Sequence, residues 1–239
     1  LLYEFVNREI VKFHESRLAA LRKMKLGTVL RKKNPYLFKA KDVVRASDLI
    51  TGILSAYLSS SEEEIFGGFL EELAIYVSQV TSGGRKSTAT GLDLEFERGD
   101  TRYLVAIKSG PNWGNSSQYA KLEDDFQKAI GTLRQSRHTG NTEAILGICY
   151  GRAKRSREEK FYRKLVGQGF WQFLGGDDDL YIDIIEPIGY EAKAHNADFD
   201  NSRILIENQL VKEFYAEFCL PTGEIDWPRL VAFNSGNIL

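Results

Sequence analysis

The chain of 239 residues is poor in several things, and each scarcity narrows what it can be. It has two cysteines, Cys149 and Cys219, too few for a disulfide framework or a cysteine zinc site. Cys149 lies in the apolar run Ala144-Ile145-Leu146-Gly147-Ile148-Cys149-Tyr150 and reads as a buried core thiol, which points to a cytoplasmic protein. The three histidines, His14, His138 and His195, are scattered without metal-ligand spacing. No apolar run approaches the roughly 18 residues needed to cross a bilayer, so no membrane partner is expected. The first residues, Leu1-Leu2-Tyr3-Glu4-Phe5, have neither an initiator Met nor the form of a signal peptide, and the natural chain is expected to begin upstream. Charge of one sign is also missing overall, since the net charge is −1.

That neutrality is uneven. Residues 1–50 hold twelve Lys/Arg against five Asp/Glu, densest at Arg22-Lys23-Met24-Lys25 and Arg31-Lys32-Lys33. A second basic run extends from Arg152 to Lys164, and Asp177-Asp178-Asp179 supplies part of the balance. Clustered cations, not a basic total, are what phosphate contacts require, although such runs also serve as solvated helix faces.

Apolar spacing lays out the elements. An amphipathic helix is expected over residues 1–24, a break at Asn34-Pro35, and a second helix over 42–59. Ser61-Glu62-Glu63-Glu64 reads as a capping box opening a third helix to about Gln79, with Glu72 at the edge of its apolar face and Glu71 further out. Gly83-Gly84 closes that helix. Leu92, Leu94 and Phe96 alternate with Asp93, Glu95 and Glu97, and Tyr103, Val105 and Ile107 alternate with Leu104, Ala106 and Lys108. These are two strands of a hairpin turning at Gly99-Asp100. A helix is expected from Gln118 to Arg137, a central strand over 144–150, helix over 156–166, an aromatic packing segment from Gly169 to Leu174, a strand or helix from Leu180 to Ile185, and a long helix over 203–218. The order implies an α/β fold, a mixed sheet with helices on both faces. The expected division is a basic helical arm or subdomain, 1–60, added to a core of 61–239 that includes the C-terminal helix.

With a two-residue turn, Asp93 falls opposite Ala106, and Lys108 lies two residues further along the same face. A carboxylate beside an ammonium suits metal-dependent phosphodiester hydrolysis. Asp93 and the Ile107 carbonyl would hold Mg²⁺, and Lys108 would orient the attacking water and offset the charge that builds on phosphorus. Ala106 offers no oxygen where a second carboxylate would help. Candidates for that acid are Glu72 from the preceding helix and Glu123 or Asp125 from the following one; the latter two also fit as helix N-terminal acids. Downstream, Asn112, Asn115, Ser116, Ser117 and Gln118 could read base edges, and Trp113 could stack or wedge. The same segment reads equally as a polar turn with a helix N-cap at Ser116 or Ser117.

Gly91-Leu92-Asp93, followed by Ile107-Lys108-Ser109-Gly110-Pro111-Asn112-Trp113-Gly114-Asn115-Ser116-Ser117-Gln118, resembles type II restriction endonucleases of the PD-(D/E)XK superfamily. The segments Lys32 to Lys41 and Gly169 to Leu174 are similar to those enzymes too, and the resemblance spans residues 30 to 185. It implies a restriction-endonuclease-like mixed sheet and a homodimer in restriction-modification that cuts short palindromic sites in double-stranded DNA with Mg²⁺. Asp93 would be the metal-binding aspartate and Lys108 the catalytic lysine, with Leu92 where the family has proline. Ala106 departs from the family pattern. Either the acid has moved to the following helix, favouring Glu123 or Asp125, or the Ala is a substitution that silences cleavage. Two alternatives follow: a nuclease-fold protein that binds DNA without cutting, or a repair or junction nuclease of the same superfamily.

Overall fold

The computed structural model describes residues 2–135, 140–152 and 157–237. His138, the end of the expected helix at Arg137, and Lys154 and Arg155 of the second basic run lie outside the described residues. In chain order the elements begin with helices α1 (Leu2–Arg22), α2 (Leu26–Lys32), α3 (Pro35–Ala40) and α4 (Ala46–Ser82). Strands β1 (Arg85–Lys86), β2 (Leu94–Arg98) and β3 (Thr101–Lys108) follow, then α5 (Ser116–Gln135), β4 (Asn141–Ile148), β5 (Arg157–Glu158) and β6 (Arg163–Val166). The chain continues through α6 (Gln168–Gly175), α7 (Leu180–Asp183), α8 (Ile185–Ile188), α9 (Ala192–Phe218) and α10 (Trp227–Ser235). No helix among the described residues is long and apolar enough to cross a membrane.

Contacts divide the chain into two units: residues 1–10 with 66–190, and residues 11–65 with 191–239. The first unit carries the sheet, ordered β1-β2-β3-β4-β6-β5. β1, β2 and β3 are antiparallel, β3, β4 and β6 are parallel, and β5 returns antiparallel to β6, so the sheet is mixed. The 2-residue turn at Gly99-Asp100 sits between Arg98 and Thr101, which pair directly, and Gly99 takes the positive φ such a turn needs.

Two layers of helix cover the sheet. On one face, Leu104 and Ala106 of β3 and Ala144, Leu146 and Ile148 of or beside β4 pack against Leu122, Phe126 and Ala129 of α5. On the other, the ring of Phe170 fills the place a side chain at Gly147 would take, bringing α6 onto β4. α6 is anchored by Trp171, whose indole N–H donates to the Cys149 carbonyl at 2.8 Å, and α4 is tied to α6 where Thr81 Oγ1 donates to the Leu174 carbonyl at 2.7 Å. Phe170 and Trp171 are buried, as the packing reading of that segment required, and Cys149 is a buried free thiol whose pKa burial pushes up to about 12.

In the second unit, Leu26, Val29 and Leu30 of α2 and Leu49, Ile50 and Ile53 of α4 form a core with Leu210, Phe214 and Phe218 of α9 and Leu230 of α10. Several of its basic residues are engaged locally: Arg31 lies over Phe233, Lys39 over Trp227, and Lys33 donates to the Ala56 carbonyl. The break at Asn34-Pro35 is a helix start, where Asn34 Oδ1 accepts from the amides of Tyr36 and Leu37.

Three expectations are corrected, and the choice of strand or helix for Leu180 to Ile185 is decided. The two helices expected over 42–59 and 61–79 are one, α4, of 37 residues. The polar stretch Ser59 to Glu64 contains no Gly or Pro to end a helix, and Ser60 Oγ bonds back to the Ala56 carbonyl instead of capping a new one. Residues 157–166, expected to be helical, hold β5 and β6, because Arg163 to Val166 find an open edge on β4 and pairing there overrides helix propensity. Leu180 to Ile185 is helical, in α7 and the start of α8. The strand over 94–98 is not half-buried: Glu95 is buried too, held by Arg85 at 2.7 Å and Arg102 at 3.1 Å.

Candidate active site

The hairpin register places Asp93 next to the end of β2, opposite Ala106. Its amide donates to the Val105 carbonyl at 2.9 Å, and its carboxylate Oδ2 accepts the Ile107 amide at 2.6 Å. The side chain thus continues the ladder by one rung. A strand residue's N–H and C=O point to the same neighbour, so the Ile107 carbonyl faces the Asp93 side. Lys108 Nζ stands 4.0 Å from Asp93 Oδ2. Burial raises the Asp93 pKa above the ordinary carboxylate value; the Ile107 hydrogen bond and the charges of Lys108 and Lys86 oppose that rise.

Ala106 is fully buried in the apolar layer with Leu92, Leu104, Leu122 and Phe126, so the position opposite Asp93 supplies packing and no oxygen. An acid of α4, Glu71, lies near enough to Asp93 for the Asp93 charge to act on it. Gly67, Glu71, Ala74 and Ser78 share one face of α4 at helical spacing. That face comes very close to its neighbours. A Cβ at Gly67 would touch Ser109, next to Lys108. Glu71 is thereby carried to Asp93. Burial first, and then the Asp93 charge, raise its pKa. The sequence-based placing of Glu72 on the inner edge and Glu71 further out is reversed: the Glu71 side chain is 31% exposed and that of Glu72 is 54% exposed. Reading the large apolar residues as the buried stripe concealed the small-residue stripe that marks the close approach.

Asp125 packs on Gly91, and Thr88, Thr90, Glu95, Arg102 and Lys128 surround the same recess. Asp124 pairs with Lys128, and Glu123 is partly exposed. One more charged residue was not foreseen. Lys86 of β1 reaches Glu72 at 3.3 Å and Glu71 at 3.8 Å. It was hidden because the two-residue strand β1 leaves no periodic signal.

The segment after Lys108 serves two ends. Trp113 lies half-buried with its ring centroid 5.5 Å from Lys108 Nζ and 4.7 Å from the Tyr119 ring. Its indole N–H is buried with no hydrogen-bond partner. Asn115, rather than Ser116 or Ser117, caps α5: its Oδ1 accepts the Gln118 amide at 3.1 Å, and Gln118 Oε1 accepts the Asn115 amide at 2.9 Å. Ser117 Oγ adds a bond to Asn115 Oδ1. Asn112, Asn115, Ser116, Ser117 and Gln118 are all exposed.

Among the described residues no group of three or more His, Cys, Asp or Glu side chains could hold a metal ion. The Asp93–Glu71 pair nevertheless fits a hard divalent cation, which takes one or two carboxylates with backbone oxygen, water and substrate completing its shell. Two like charges in a partly buried place, both with raised pKa, are what such a cation would relieve. No curated protein matches the chain. A family model for the type II restriction endonuclease EcoO109I matches residues 2–196, well beyond the stretch that carries the hairpin and its lysine. A mixed sheet flanked by helices, with Asp93 and Lys108 together on one hairpin, accords with that match, and the chain belongs to the EcoO109I family of type II restriction endonucleases, site-specific deoxyribonucleases.

Proposed function

We propose that this enzyme is a Mg²⁺-dependent nuclease of the PD-(D/E)XK superfamily that acts as a cytoplasmic homodimer on short sites in duplex DNA. The observation that carries the reading is the convergence of Glu71, Asp93 and Lys108 at one end of the hairpin. Asp93, Glu71 and the Ile107 carbonyl would hold the cation, which when bound polarises the phosphoryl oxygen and lowers the pKa of water.

The chain's own groups do the rest. The Ile107 amide fixes the Asp93 carboxylate so that it does not rotate away from the scissile phosphate. Lys108 is held between the Asp93 carboxylate and the face of Trp113, which directs its ammonium. From there it orients the attacking water and offsets negative charge in the transition state. Asn112, Trp113, Asn115, Ser116, Ser117 and Gln118 follow the catalytic lysine and are proposed to contact DNA beside the cut. For Asn115 and Gln118, base contact would compete with capping α5. The sheet-bearing unit is the nuclease core of this reading.

A cleavage-silent protein was the alternative suggested by Ala106. Glu71 supports the active reading because it brings a second carboxylate from another element. Incubation with phage DNA and Mg²⁺ tests this: discrete, reproducible fragments support it. Tight binding without cutting favours the silent alternative, and cutting of branched but not linear duplex favours a junction nuclease.

A further inference from the structure

Lys86 pairs with Leu94 in the β1–β2 register, so its side chain leaves the sheet on the Leu94 face, toward the Glu71–Glu72 turn of α4. The amide of Ser87, the next residue, donates to the Asp93 carbonyl at 3.1 Å, which pins the end of β1 beside Asp93. The ammonium of Lys86 donates to Glu72 at 3.3 Å and stands 3.8 Å from Glu71, while Lys108 stands 4.0 Å from Asp93. The Lys86 charge acts on Glu71 and Asp93, lowering their pKa values against the effect of burial.

The two lysines differ in how they are held. Lys108 is two-thirds covered and lies against Trp113, whereas the Lys86 side chain is 65% exposed and meets the carboxylates of Glu72 and Glu71. Exposed ion pairs of that kind contribute little and exchange readily.

We propose that Lys86 is the resident counter-cation of the Glu71–Asp93 pair, neutralising it in the cation-free enzyme and competing with the divalent cation for it. The proposal rests on the reading of Glu71 and Asp93 as cation ligands. It makes Lys86 a tuning residue for cation affinity, distinct from Lys108, which stays with the reacting phosphate.

The test is a titration of the DNA-free protein with Mn²⁺, counting free ion by electron paramagnetic resonance, at pH about 8 so that carboxylates are ionised. Lys86→Met keeps the stem and removes the charge, and should bind Mn²⁺ about fivefold or more tightly than the natural protein. Lys86→Arg keeps the charge and should stay within about twofold. Asp93→Asn should lose the site. A merely structural lysine would not tighten cation binding when removed. Unchanged or weaker binding in Lys86→Met, with Asp93→Asn lost, overturns the role of Lys86 alone. Binding by Asp93→Asn equal to the natural protein overturns the cation reading and the role of Lys86 together.

Discussion

The Asp93 carboxylate accepts the backbone N–H of Ile107 across the hairpin at 2.6 Å, so one side chain both extends the strand ladder and marks the end of β3 proposed as the catalytic end. Structure and chemistry can be separated there. Asp93→Asn retains an oxygen to accept the Ile107 amide and loses the charge; Asp93→Ala loses both. Cleavage rate should fall by about a thousandfold or more in either variant, while DNA binding in a gel-shift assay persists. Asp93→Ala should be the less stable of the two by about 1–3 kcal/mol, because it leaves the Ile107 amide without its partner. Lys108→Ala should also abolish cleavage and keep binding. Full activity in Asp93→Ala or Lys108→Ala would remove the site from this hairpin.

Which acid completes the site is a comparison among three glutamates. Glu71→Gln should reduce the single-turnover cleavage rate by on the order of a hundredfold, the scale for removal of one charge-stabilising group. Glu72→Gln and Glu123→Gln should each stay within about threefold of the natural enzyme, as expected of residues that do not touch the reacting atoms. A large loss in Glu123→Gln with none in Glu71→Gln would return the second acid to α5.

Much of the hairpin that carries the candidate site is legible in the sequence, and the limits have physical causes. Period-2 alternation around Gly99-Asp100 gave the register that sets Asp93 opposite Ala106 and Lys108 beside it, because a two-residue turn leaves no freedom to slip. What failed was anything depending on close approach between elements. Glu71 and Glu72 are adjacent in sequence, and their spacing alone does not say that Gly67, one turn before Glu71, faces Ser109. The run Ser61 to Glu64 has the composition of a capping box, yet the helix passes through it, since capping residues are also tolerated inside a helix when nothing breaks it. The strands β5 and β6 were obscured for the opposite reason, their charged, helix-compatible residues being held by a neighbour rather than by local preference.

Gly91 lies two residues before Asp93 with φ of +79°, and a Cβ there would run into the Asp125 carboxylate. Gly91→Ala should therefore cost about 1–3 kcal/mol through backbone strain and the collision. Urea unfolding at constant m-value would measure it. Asp125→Ala in the same background should recover the steric part and leave the strain. If Gly91→Ala is as stable as the natural protein, the loop that delivers Asp93 has a different backbone conformation in solution.

The last prediction concerns pH and the other unit. His14 of α1 and His195 of α9 stack with centroids 4.5 Å apart and planes 13° from parallel. The groups facing them are Arg17, which bonds Asn196 and Glu62 and lies over Phe199, and the ring of Phe13. Nδ1 of His14 and Nε2 of His195 are both buried without a partner. Burial, then the His195 and Arg17 charges, lower the His14 pKa from 6.5 to about 4. The unfolded chain thus takes up a proton near the ordinary histidine value that the folded chain refuses until about pH 4. The stability tied to the neutral ring is complete above 6.5 and is lost progressively as pH falls toward 4. Allowing for solvent screening of a partly exposed pair, the loss should be about 1 kcal/mol. Thermal or urea unfolding of the natural protein and of His14→Gln across that interval would show the difference between them shrinking as the pH is lowered. A constant difference would mean that His14 titrates alike in the folded and unfolded chain.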